Sequence, residues 1–156
     1  MKIGWTVLLM AMVVCAGRGR AEEAKAAPET GGQGIAGKIE KMVGNFMPGP
    51  DRTGGSREAM SVPVHVFRGD VAIFKEPDPK HPKLVKIVQS GKDGSYRCAL
   101  PPGTYTVVPV IDGELRYNVM KAKRVGGKVV AVWPTVAVKK DQWTKLKISD
   151  TSEATF

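Results

Sequence analysis

An all-β fold, a Greek-key sandwich of seven or eight short strands, is what this sequence predicts, and three observations carry that expectation. From residue 34 onward apolar residues recur at every second position over short runs, the period of a strand with one buried face. Gly, Pro, Asn and Asp punctuate the runs as turn residues do. No segment of this region carries an apolar face at helical spacing, so the crossover helices of a parallel α/β sheet have no candidates.

The strands are justified one by one. "GIAGKIEKMV", residues 34 to 43, sets Ile35 and Ile39 on one face with charges on the other. "SVPVHVF" aligns Val62, Val64 and Val66, and its Pro63 suits an edge or a strand's first residue. A short strand is expected over Val71 to Phe74. The proline-rich "KEPDPKHPK" then leads to "LVKIVQS", where Val85 and Ile87 share a face. "SYRCAL" alternates Tyr96, Cys98 and Leu100 inward, and "TYTVVPV" aligns Tyr105 with Val107. Three further strands fit "ELRYNVM", "GKVVAVWPTVAV" and "WTKLKIS", the last with Leu146 and Ile148 inward.

Two turns bracket the strand around Cys98. Asp93 and Gly94 tolerate left-handed backbone and mark a reversal between Ser90 and Ser95. Pro102 and Gly103 suit the two central positions of a type II turn, where proline fixes the first residue and glycine accepts positive φ at the second.

The beginning of the chain sets its compartment. Residues 1 to 21, "MKIGWTVLLMAMVVCAGRGRA", place Lys2 before an apolar run from Ile3 to Ala16 and end in small residues, the order of a secretory signal peptide. The run is short for a membrane span, which wants about 20 apolar residues. Cleavage after Ala21 or after Ala16 fits the small-residue rule, and an uncleaved anchor is the alternative. Cys15 opens lipid attachment as a minor reading, against which Val13 and Val14 are bulky.

The mature chain is therefore expected in the periplasm or outside the cell, without a transmembrane segment. Residues 22 to 33 read as a flexible leader, 34 to 150 as one domain and 151 to 156 as a tail. The net charge of +9 falls to +6 once Lys2, Arg18 and Arg20 are removed. Lysines scattered over several strands, with no Arg-rich run, argue against specific nucleic-acid binding. Cys98 is left without an internal disulfide partner, and a chain of about 135 residues can bury roughly two thirds of its unfolded surface without one.

The segments "GIAGKIEKMVG", "VPVHVF", "GKDGSYRCALPPGTYTVVP" and "VAVKKDQWTKLKI" together resemble the carboxypeptidase regulatory-like domains, prealbumin-like sandwiches of seven strands that serve as accessory modules. The resemblance covers most of residues 34 to 149. Its most specific part is D-G-x-aromatic-x-x-x-L-P-P-G-x-Y, here Asp93 to Tyr105. The chain is also similar to a smaller group of exported bacterial proteins with a GN-x-MPGP loop, here "GNFMPGPD" at Gly44 to Asp51. The resemblance implies a fold and an exported location, and no activity.

Chemistry-bearing residues are few. Related transthyretin-like hydrolases use several histidines, an arginine and a tyrosine-rich C-terminal signature, whereas this chain has only His65 and His81 and ends "SEATF". His65 alternates with valines and His81 sits in a proline-rich loop, so neither forms a recognisable metal or catalytic pair. The Lys-Asn cross-link of some adhesin modules also lacks its expected asparagine in the last strand. Cys98 reads as a core residue, Glu76 and Asp78 as solvated, and the glycines near Gly54 and Gly126 lack the context of a nucleotide loop. No cofactor or metal is expected, and no catalytic residue is assigned.

What remains is surface. The segment "GNFMPGPDRTGGSREAM", residues 44 to 60, is long for a connection and offers Asn45, Phe46, Met47 and Arg52 either to an envelope partner or as a lid on the sandwich. Tyr117, Trp133 and Trp143 are the aromatics available to stack on a glycan. Trp133, which precedes Pro134 and shares a face with Val129 and Ala131, suits the core or a strand edge better. The expectation is a noncatalytic exported interaction or structural module, with carbohydrate binding through aromatics as the alternative.

Overall fold

The computed structural model describes residues 32–47 and 54–156. The expected signal peptide, most of the leader, and Arg52 lie outside those residues. The described chain is all-β, with eleven strands in three sheets and no helix.

One sheet is built on β1 (Gly34–Asn45), which pairs in parallel with β11 (Trp143–Thr155). On its other side β1 pairs antiparallel with two strands in succession. β5 (Ser95–Ala99) lies along residues 34–38 and β2 (Ser56–Ala59) along residues 40–43. The second sheet has the order β10 (Thr135–Val138), β6 (Gly103–Ile111), β3 (Pro63–Arg68), β4 (Leu84–Gln89), with the short β7 (Glu114–Leu115) added to β6. A separate ribbon is formed by β8 (Lys121–Val125) and β9 (Lys128–Val132).

The two larger sheets share one core. Ile35, Ile39 and Ile148 come from the first sheet, Val64, Val66 and Val107 from the second, and all six are almost wholly buried. Each such side chain contributes on the order of 1.5–3 kcal/mol by leaving water. Tyr96, Cys98, Tyr105, Leu146 and Ile148 pack on this core as the alternation predicts.

Gly37 explains how Tyr96 fits. A Cβ at this position would run into the Leu146 backbone and the Tyr96 ring. Without one, Tyr96 lies across β1 and its hydroxyl donates to the Leu146 carbonyl at 2.9 Å.

A second apolar cluster covers the other face of β3 and β6. Phe67, Val71, Val108, Leu115 and Trp133 form it, with Phe74 and Tyr117 packed against it. The expected single buried face per strand therefore does not hold for β3, where residues 64–67 are buried without interruption. The proline-rich connection supplies part of the cover. Phe74 meets Trp133 edge to face at 5.3 Å and stacks on His81 at 5.1 Å, and both Phe74 and His81 approach Phe67.

Several element boundaries depart from the sequence reading. The strand expected over Val71 to Phe74 is a single bridge, Ala72 to Val132. "ELRYNVM" yields only the two residues of β7, because beyond Leu115 the chain is held by the Asn118 side chain, which donates to the Ser149 carbonyl and the Thr151 hydroxyl. "GKVVAVWPTVAV" is cut at Trp133 and Pro134, where the indole turns into the second cluster and proline has no N–H for a ladder. The residues expected to form a tail from 151 onward continue β11 as far as Thr155. Val85 and Ile87 do share the exposed character of an edge strand, and neither enters the main core.

The two predicted turns also differ. Gly94 has φ of 76°, and Asp93 Oδ1 accepts from the Ser95 amide at 3.1 Å and the Ser95 hydroxyl at 2.7 Å. This reversal carries the chain from β4 in one sheet to β5 in the other. Gly103 opens β6 with φ of 158°, far from the value near +80° of a type II turn. The Tyr105 hydroxyl donates to the Pro101 carbonyl at 2.9 Å and closes that corner instead.

Candidate interaction surface

The loop between β1 and β2 starts from a fixed base. Asn45 Oδ1 accepts from the Met47 amide at 2.8 Å, a local Asx turn, while the Asn45 carbonyl accepts from the Gly55 amide at 3.1 Å. The Phe46 amide donates to the Thr155 carbonyl at 2.8 Å, so the end of β11 holds this base as well. The Phe46 ring stacks on Phe156 at 5.7 Å and lies over Gly55, where any Cβ would strike it.

Phe46 and Met47 are thereby separated in role. Phe46 is partly buried against the chain's own C-terminal aromatic, whereas Met47 is 47% exposed and Phe156 63% exposed. Alternation along β1 foretold neither the stack nor the part played by Phe156, because its partner lies at the other end of the sequence.

The three aromatics considered for stacking do not form a common face. Trp133 is 1% exposed and belongs to the second cluster, so it is withdrawn from the surface candidates. Tyr117 is half-buried against both clusters, and burial raises its phenol pKa above the ordinary value. Its neighbour Asn118 bonds to Ser149 in the middle of β11, whereas Trp143 is that strand's first residue. At about 3.3 Å per residue the two positions are roughly 20 Å apart.

Trp143 has its own setting. The guanidinium of Arg97 lies 3.9 Å from the centre of its ring, an attraction of the cation–π kind. The contact spans β1, because Arg97 sits opposite Ala36 and Trp143 opposite Gly34. Both intervening residues are small. A Cβ on Gly34 would meet the indole edge and the Cys98 carbonyl, so this glycine lets the ring lie against the sheet.

The nucleophilic and titratable candidates face inward. Cys98 is completely buried, and burial pushes its thiol pKa up. His65 is 5% exposed, its Nδ1 has no hydrogen-bond partner, and burial lowers its pKa. His81 accepts the Lys83 amide on Nδ1 at 3.2 Å while its ring stacks on Phe74. Among the described residues no three His, Cys, Asp or Glu side chains come close enough to hold a metal, and no helix is long and apolar enough to cross a membrane.

The charge distribution is less scattered than the sequence suggests. On the outer side of the first sheet Glu40 pairs with Lys147 at 2.7 Å and lies 3.9 Å from Arg57, which lowers its carboxyl pKa. Lys121, Lys123, Arg124 and Lys128 gather on the β8–β9 ribbon. The ribbon's turn glycines were visible in the sequence, but its detachment from both larger sheets was not.

No family model matches the chain, and no curated protein matches it. A solved structure with a likeness to it is that of a Pseudomonas aeruginosa protein named for an inferred carbohydrate-binding role. The two are 15% identical over 80% of this chain and 92% of the other, with a TM-score of 0.35. A likeness of that size transfers neither a ligand nor a binding residue.

Proposed function

We propose that this chain is a noncatalytic interaction module of the bacterial envelope, exported by its N-terminal segment, with the end formed by Asn45, Met47 and Phe156 as its contact surface. The observation that carries the reading is the base beneath Met47. Three hydrogen bonds at Asn45, Phe46 and Gly55 and the Phe46–Phe156 stack hold two exposed apolar side chains in place before any partner arrives. Such preorganisation reduces the ordering cost of association. Enclosure of Cys98 and His65 favours recognition over nucleophilic or acid–base chemistry at those residues.

The reading extends to the fold. A prealbumin-like Greek-key sandwich of the carboxypeptidase regulatory-like kind is supported by the three strands β11, β1 and β5 facing the four strands β10, β6, β3 and β4 across one core. On this reading β2, β7 and the β8–β9 ribbon are additions to a seven-stranded plan.

Chemical crosslinking and mass spectrometry in the envelope fraction test the contact surface. A Met47→Ser, Phe156→Ser variant with an unchanged thermal melt should lose a specific crosslinked partner that the wild type captures. Identical crosslinks in both proteins would reject this surface.

Carbohydrate binding is the second reading, favoured by one observation: Trp143 presents a half-buried indole beside the Arg97 guanidinium on the outside of a sheet. A glycan that quenches indole fluorescence in the wild type and fails to bind Trp143→Ala would support it. Glycan binding retained by that variant would exclude this site.

A further inference from the structure

The β8–β9 ribbon is unlike the rest of the molecule in both charge and exposure. From Val119 to Val132 the sequence has four cations, Lys121, Lys123, Arg124 and Lys128, and no carboxylate. Four large apolar side chains in the same segment, Val119, Met120, Val125 and Val129, are each more than half exposed. Among the described positions only Phe156 joins them above one half, so four of the five most exposed large apolar side chains occur in this one segment.

At its tip each face of the ribbon carries both charge and apolar surface. Gly126 and Gly127 have φ of 57° and 82° and make a two-residue reversal, with Val125 opposite Lys128 and Arg124 opposite Val129. Cations and valines therefore alternate around the same tight turn. The ribbon's other end is tied to the body by the Ala72–Val132 bridge, by the Ile73 amide donating to the Ala131 carbonyl at 3.2 Å, and by an ion pair of Lys123 with Asp70. Trp133, next after β9, is anchored in the second cluster. Lys121, Arg124 and Lys128 have no ion-pair partner among the described residues.

We propose that this arm docks on an anionic lipid bilayer, with Val125 and Val129 entering the boundary between headgroups and acyl chains while Lys121, Arg124 and Lys128 bind the headgroups. The pairing of charge with apolar surface selects this occupant. An acidic polymer would engage the cations and leave the valines in water, whereas a bilayer interface accommodates both. A fixed base holds the tip outward, so docking needs no rearrangement of the sandwich. The arm contains none of the residues of the Met47–Phe156 surface, and either assignment can fail without the other.

Flotation of the exported, processed chain with vesicles tests the proposal. Wild-type protein should float with vesicles of phosphatidylglycerol and phosphatidylcholine at least about tenfold better than with phosphatidylcholine alone, and added salt should weaken the binding. A Lys121→Gln, Arg124→Gln, Lys128→Gln variant and a Met120→Ser, Val125→Ser, Val129→Ser variant should each lose most of that advantage. A polarity-sensitive fluorophore on Val129→Cys, with Cys98 buried and unlabelled, should shift to the blue on the anionic vesicles. Failure of the wild type to float, or an unshifted probe, would overturn the proposal. So would full binding by the serine variant, which would make the attraction purely electrostatic and point to a polyanion.

Discussion

Trp133 and Trp143 show how far two residues of one type diverge once neighbours are assigned. Trp133 fills the second cluster and meets Phe74 at 5.3 Å, so Trp133→Ala should cost about 3–5 kcal/mol in a urea titration. Trp143→Ala removes a half-buried ring and one cation–π contact and should cost no more than about 1–2 kcal/mol. Equal losses would contradict the burial assigned to them. Gly37→Ala should be more damaging than its size suggests, by about 2–4 kcal/mol, because the added methyl meets the Leu146 backbone. His65 contributes a pH effect whose sign follows from its enclosure. Burial lowers its folded pKa, so only the unfolded chain takes up this proton as pH falls through about 6.5. The stability associated with neutral His65 is complete above that pH and is lost as pH falls towards the folded pKa. Urea midpoints should therefore decline between about pH 7.5 and about pH 5.5, and His65→Leu should flatten the decline. Glu40, Asp70 and Asp93 have lowered carboxyl pKa values and act at lower pH, outside that window.

At the scale of elements, alternation was a dependable guide where one face meets the main core. Ile35 and Ile39 in β1, Tyr96 and Cys98 in β5, and Leu146 and Ile148 in β11 all face it. It gave no strand over residues 121–125, where β8 forms, and it did not show that β8 and β9 pair only with each other. Amide hydrogen exchange should separate these cases. β8 amides should exchange with little protection, because a lone two-stranded ribbon is weakly stable, while those of β1 and β6 should approach the protection of global unfolding. Slow exchange throughout β8 would show that the ribbon is covered by something else, such as a second copy. The Asp112–Gly113 dipeptide illustrates a local signal that was present but unused: φ values of 52° and 79° make it the two-residue turn between β6 and β7.

For the whole molecule, the decisive contact joins the first and last of the described strands. β11 lies parallel to β1 and continues past residue 150, where Glu153, Ala154 and Thr155 stand beside Val43, Gly44 and Asn45. Lys41 pairs with Glu153, and Phe156 stacks on Phe46. Deleting residues 152–156 should therefore destabilise the fold by about 1–3 kcal/mol in a urea titration. An unchanged urea midpoint would return these residues to the status of a tail. The loop candidates change meaning at this scale too. Asn45, Phe46 and Met47 were legible as parts of one long connection whose apolar side chains either face a partner or fold back, but Phe46 and Phe156 were not legible as a pair, since 109 positions separate them.

The sequence by itself determined the strand character of the chain, the inward residues of its main core and the reversal at Asp93 and Gly94, because these depend on backbone preferences and a period of two residues. Only the tertiary structure decided that β3 and β6 are covered on both faces, that Trp133 is core, and that β8 and β9 form a sheet apart from the two larger ones. Those outcomes depend on which distant segment arrives against each face. A strand's pattern records which side chains tolerate burial, and the packed chain determines which of them obtain it.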